Sequence, residues 1–192
     1  MTSDPASPPI TAAGRFEFTP HNCFACGTLN AGGLGLTMHI EPGRSWTETA
    51  LDRRFEGWEG LAHGGILCTI LDEVMAWALV GADNWGVTAR MSVEFRKPVP
   101  IGRSIRAEGW TVESRRRVVD AAGRIVDAAD GTLLAEAVGR YVAASDARKR
   151  ELRSVYGVRV ASDDQTDTPE RLDTPEAVDA TAAVPPVVDI RR

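Results

Sequence analysis

At 192 residues, with 43% hydrophobic and 26% charged side chains, the chain has room for one domain with a real core plus further material, in the balance of a soluble globular protein. Its net charge of −5 is unevenly placed: residues 161–192 hold eight acids against three arginines, and the rest of the chain is neutral. A neutral body without a basic stripe argues against nucleic acid as a partner; the N-terminus lacks the basic and apolar regions of a signal peptide, no run of about 18 uncharged apolar residues suggests a membrane span, and three cysteines fit a reducing, cytoplasmic setting better than a disulfide framework.

In chain order, residues 1–20 are rich in Pro, Ser, Thr and Ala and read as a loose arm. "GLGLTMHIE" (33–41) and "SWTETALD" (45–52) alternate apolar and polar residues as half-buried strands do, with "EPGR" as the turn between them. "ILCTILDEVMAWALV" (66–80) contains helix formers and neither Pro nor Gly, which predicts a long helix. Four strand candidates follow at 88–99, 103–114, 116–130 (whole, or broken at Gly123) and 132–144, with "DG" at 130–131 as a hairpin signal. "SDARKRELRSVYG" (145–157) reads as a short helix capped by Ser145 and ended by Gly157. The remainder, 158–192, is acidic, proline-containing and free of aromatics, and reads as disordered. Two strands, one long helix and a run of antiparallel strands predict an α+β domain over 21–144, its helix packed on one curved sheet.

The helix poses a chemical question. Ile66, Ile70, Val74 and Trp77 lie along one side, and Leu67, Leu71, Met75 and Ala78 on the next, so the segment is apolar nearly all round and reads as buried. A sheet can cover one side and a second subunit the other. Yet Asp72 and Glu73 sit inside it, and an ionised carboxylate there is expensive unless partnered. Successive helical residues point about 100° apart, so the two acids cannot serve one face. One is expected to act on a substrate, while the other pairs with an arginine or a backbone N–H, or reaches a wet edge. Partial burial would push a carboxyl upward, toward the range useful to a general base.

The approach to this helix is "HGG". Gly64 and Gly65 admit another group close to the backbone, and the unpaired N–H groups of a first helical turn can hold a carbonyl oxygen as it becomes an oxyanion. His63 can cap the helix, hold the turn or touch a substrate. Gly65 and Asp72 are separated by about 10 Å along one helix, too far to share a reacting atom. Two antiparallel helices at a two-fold interface remove the difficulty, which predicts a composite site and at least a dimer.

"HGGILCTILDEVMAWAL" resembles the central helix of hotdog-fold acyl-CoA thioesterases, in the phenylacetate-pathway (PaaI-like) branch. "CFACGTLNAGGLGL" (23–36), "FEGWEGLAHGG" (55–65) and "TARMSVEFRKPVPIG" (88–102) resemble the neighbouring stretches of that branch, so the likeness covers about residues 21–143. The resemblance implies a hotdog fold, a curved antiparallel sheet wrapped around one long central helix. It implies Asp72, nine residues after His63, as the active-site acid, the Gly65 N–H as carbonyl donor, and Thr88 as a hydroxyl that orients water or the carboxylate. Some members carry an asparagine six residues before the histidine; here that position is Gly57, so carbonyl activation must rest on the Gly65 amide and the helix dipole, with a water in the empty space.

Three further groups have bland and sharp readings. "HNCFACG" offers His21, Cys23 and Cys26, half of a zinc knuckle whose second half is missing; cysteines packed as small hydrophobes in a loop are the favoured reading. Arg96, Lys97, Arg103 and "SRRR" (114–117) can meet the phosphates of coenzyme A or form a solvated strand edge. Trp58, Met75 and Trp77 can line an acyl tunnel or fill a core. The sequence thus leads to an acyl-CoA thioesterase with Asp72, Gly65, Thr88 and His63 at the reaction and Gly64, Glu73, Trp58, Arg96, Lys97 and Arg103 as substrate contacts. It needs no metal or other cofactor and forms a homodimer or tetramer. The alternative is a non-catalytic acyl-CoA-binding protein on the same fold.

Overall fold

A computed structural model of the chain describes residues 14–157 and 159–160; the first thirteen residues of the predicted arm and the acidic stretch from 161 onward lie outside the described residues. The elements run β1 (Gly14–Glu17), β2 (His39–Glu41), β3 (Arg44–Ala50), α1 (Gly64–Gly81), β4 (Gly86–Phe95), β5 (Ser104–Arg115), β6 (Val118–Asp127), β7 (Leu133–Ala143), α2 (Asp146–Tyr156) and β8 (Arg159–Val160). Every strand pair is antiparallel, in the order β4-β7-β6-β5-β3-β2-β1-β8, and α1 packs across β2 through β7. This curved sheet around one long helix is the hotdog fold.

The helix sits close because the sheet makes room for it. A Cβ on Gly109 of β5 would lie 2.4 Å from the Val74 carbonyl oxygen, so only glycine admits the helix backbone here. The Ser45 hydroxyl of β3 donates to that same carbonyl at 2.5 Å, which satisfies a buried polar side chain. Ile70, Leu71, Val74, Met75 and Leu79 then bury fully against Ile40, Ile105, Val119, Ile125 and Tyr141, each large aliphatic contributing about 1.5–3 kcal/mol. The helix is long and apolar enough to cross a membrane by length and composition, but here it is the core helix. Its half-covered stripe runs through Gly65, Thr69, Asp72 and Ala76, spaced as one helical face.

Three segments differ from the sequence reading. Residues 33–38 are not strand: Leu34 and Leu36 donate their N–H groups to the carbonyls of Phe24 and Ala25 in the cysteine loop, at 2.8 and 2.9 Å, so the alternation there serves loop packing. β6 runs unbroken through Gly123, which pairs with Gly109. Residues 14–17, read as arm, pair with β2 and β8. The helix α2 forms as read, with Ser145 as its N-cap and Gly157 in the left-handed conformation at its end.

Candidate active site

His63 caps α1. Its Nδ1 accepts the Gly65 N–H at 2.9 Å, its carbonyl accepts the Ile66 N–H at 2.9 Å, and its own N–H reaches the Phe55 carbonyl at 2.8 Å. The Gly65 N–H expected to hold a carbonyl is therefore already engaged by the histidine beside it. Position 57 is crowded at its Cβ: a Cβ there would meet His63 Cα at 2.9 Å and Cδ2 at 3.3 Å. His63, by its backbone and its ring, stands close against position 57. Beside the helix tip, Phe95 of β4 lies where a Cβ on Gly64 would touch it at 3.4 Å, and Phe95 is itself 54% exposed.

Asp72 lies two turns further, on the half-covered face. Two hydroxyls hold its Oδ1: Thr88 donates at 2.7 Å and Tyr141 at 3.0 Å. Thr88 and Tyr141 face one another across β4 and β7, and the register shifts immediately after Thr88, where the bulge releases β4 from regular pairing. Among the described residues, no donor reaches Oδ2. Burial, reinforced by the Asp72 charge, pushes the Tyr141 phenol well above its ordinary value, so it remains a proton donor to the carboxylate. Tyr141, fully buried, carries no sequence signal that separates it from any other aromatic at an inward strand position.

Glu73 turns the other way. Its Oε1 accepts the Trp77 indole N–H at 2.8 Å, and its Oε2 lies 4.0 Å from the Cys23 sulfur. Burial first, then the neighbouring Cys23 sulfur, pushes this carboxyl up to about 7. It lines a cavity of ≈ 550 Å³ with Cys23, Cys26, Trp77, Trp85 and Tyr156. The sequence offered Glu73 an arginine, a backbone N–H, a wet edge or a substrate; its protein partners are an indole and a cysteine loop, at the wall of a cavity.

The remaining candidates are dispersed. Arg96 pairs with Glu94 and, at 2.6 Å, with Glu136; Arg103 pairs with Asp127 at 2.5 Å; Lys97 is exposed. Trp58 is 85% exposed, whereas Met75 is core and Trp77 lines the cavity. The structure thus brings Asp72 and Thr88 together, gathers His63, Gly64 and Gly65 at the tip of the same helix, and leaves Arg96 and Arg103 tied to acids.

The curved sheet around one long helix is shared with solved structures. Residues 59–134 match the family model of the thioesterase superfamily. Among solved structures, a thioesterase superfamily protein is 24% identical with a TM-score of 0.60, over 63% of this chain and 60% of that one. A hypothetical thioesterase from Streptococcus pneumoniae, solved with coenzyme A, is 19% identical with a TM-score of 0.55, over 57% of this chain and 89% of that one; it has also been solved as an aspartate-to-alanine and as a threonine-to-alanine mutant, at positions sixteen apart. The E. coli PaaI protein of the phenylacetic acid degradation operon is 17% identical with a TM-score of 0.54, over 57% of this chain and 83% of that one. No curated protein sequence matches.

Proposed function

We propose that the protein hydrolyses the thioester of an acyl-CoA to a free acid and coenzyme A, as a dimer whose two sites each combine both chains. The observation that carries this reading is the Asp72 carboxylate, held by the Thr88 and Tyr141 hydroxyls on the half-covered face of the helix. The sixteen-residue spacing of Asp72 and Thr88 equals that of the aspartate and threonine altered in the streptococcal thioesterase, and the coenzyme A in that structure supports the same class of ligand.

In this scheme the thioester carbonyl lies at the tip of one α1, against the Gly65 N–H and the positive end of the helix. The oxygen shares that N–H with His63 Nδ1 or takes it over. Asp72 of the partner subunit approaches from the antiparallel helix, because β4 is an edge strand whose outer side can pair with its own copy. Asp72 then either takes a proton from water as the water attacks, or attacks the carbonyl itself to form an anhydride that water opens. In both routes the carbon–sulfur bond breaks and the coenzyme A sulfur is protonated. Thr88 and Tyr141 hold Oδ1 so that Oδ2 does the chemistry. Lys97, exposed beside the paired Arg96, is the candidate contact for a phosphate of coenzyme A.

The engaged Gly65 N–H and the absent side chain at Gly57 favour a second reading, an acyl-CoA-binding protein that does not turn over. Hydrolysis of a panel of acyl-CoA esters by wild type and Asp72→Asn separates the two. Catalysis predicts turnover by wild type and a fall of about 10³-fold in the variant with ester binding retained. No turnover by either, with binding by both, establishes the second reading.

A further inference from the structure

The cysteine loop that the proposed hydrolysis does not use meets the acid that it does not use. We propose that Cys23, Cys26 and Glu73 form a metal site for a zinc-class divalent ion, open at its fourth position to the adjoining cavity.

The ligand atoms of these three residues all lie within 4.8 Å of one another, and among the described residues this is the group of His, Cys, Asp or Glu side chains so gathered. Neighbouring ligands of a tetrahedral zinc with sulfur and oxygen donors stand about 3.5–3.8 Å apart, so the site closes on an ion by a movement of about 1 Å. The turn between the cysteines is shaped for this. The Gly27 N–H donates to the Cys23 carbonyl at 3.0 Å, and Gly27, whose Cβ would lie 2.4 Å from the Cys23 nitrogen, lets the loop fold back on itself. Glu73 is fixed from its other oxygen by the Trp77 indole at 2.8 Å, leaving Oε2 toward the sulfurs.

His21 is the outer support rather than a fourth ligand. Its Nδ1 accepts the Cys23 N–H at 3.3 Å, which places its own hydrogen on Nε2, and Nε2 lies 4.0 Å from the Cys26 sulfur. That tautomer can donate to a metal-bound thiolate but cannot itself bind the metal through Nε2. Three protein ligands with an open position toward the ≈ 550 Å³ cavity match the pattern of zinc sites that keep an exchangeable ligand. Two thiolates favour zinc over calcium or magnesium, which prefer oxygen.

The test is titration of the full chain, stripped with a chelator and kept reduced, with Co²⁺ followed by Zn²⁺. One equivalent of cobalt should bind with a sulfur-to-cobalt charge-transfer band and the intense visible absorption of a tetrahedral site, and zinc should bleach both. Cys23→Ser or Cys26→Ser should remove the charge-transfer intensity of one sulfur and weaken binding about 100-fold or more. Glu73→Gln, which keeps an acceptor for Trp77, and His21→Ala should weaken it roughly 10–100-fold. Cys68→Ser and Asp72→Asn should titrate as wild type, which separates this site from the hydrolytic one. The proposal is overturned by the wild type alone if it takes up no stoichiometric cobalt, or by cobalt uptake that Cys23→Ser and Glu73→Gln leave unchanged. Purification with a Cys23–Cys26 disulfide, and no cobalt uptake after its reduction, also overturns it.

Discussion

Tyr141 of β7 donates its hydroxyl to the Asp72 carboxylate of α1 at 3.0 Å, from a ring that no solvent reaches. The contact ties the acid to the sheet rather than to the helix that carries it. A side chain held by one bond swings; one held by Thr88 at 2.7 Å as well is fixed in direction.

Removing either hydroxyl should therefore lower turnover more than substrate affinity. Thr88→Ala should reduce kcat about 10–100-fold and Tyr141→Phe about 10-fold, with KM nearly unchanged. Tyr141→Phe should also cost about 1 kcal/mol of stability, because it removes a buried hydrogen bond. Steady-state kinetics beside chemical denaturation measure both; a KM rise without a kcat fall contradicts the positioning role.

Restoring the side chain absent at position 57 should not restore anything. In Gly57→Asn the new Cβ would press on His63 Cα at 2.9 Å. The histidine would have to leave its cap or the loop would shift, at a cost of about 1–3 kcal/mol. A lower melting temperature without a gain in hydrolysis is expected. An equally stable and more active variant would show that His63 does not need that space.

The cysteine loop yields a prediction in pH. The Cys26 hydrogen bond, aided by backbone N–H groups and His21 and opposed by burial, holds the Cys23 thiol down at about 5. Burial pushes Cys68 upward. A group with a lowered value is ionised above it and protonated below it. In metal-free protein, alkylation of Cys23 by iodoacetamide should be nearly flat from about pH 6 to 8 and fall about tenfold per unit well below 5, while Cys68 gains about tenfold per unit through the neutral range. Peptide mass spectrometry reads both; parallel profiles for the two cysteines contradict the assignment.

Much of this fold was legible because its signals are local. The run from Ile66 to Val80 has no helix breaker, and the strands after it alternate with period two. What escaped depends on partners far away in the chain. Residues 33–38 alternate like a strand, but their N–H groups go to the cysteine loop. The setting marked Asp72 and Glu73 together, and resemblance chose Asp72 and Thr88, whereas Tyr141, 69 residues on, gave no sign that its hydroxyl faces the acid. Glu73 and Cys23 stand 50 residues apart, so neither the spacing of the acids nor that of the cysteines could show that they share a cluster. Arg96 and Arg103 carried the right charge for phosphate, and Glu136 of β7 and Asp127 at the end of β6 pair with it.

The composite site is tested most directly by mixing two inactive variants. Asp72→Asn removes the acid; Gly65→Pro removes the N–H donor at a first-turn position where proline is tolerated. If each site joins the helix tip of one chain to the acid of the other, random exchange of subunits makes half of the dimers mixed, each with one intact site. Activity should then recover to about a quarter of wild type. Recovery near that value supports the account; no activity in the mixture, with exchange verified by native mass spectrometry, contradicts it.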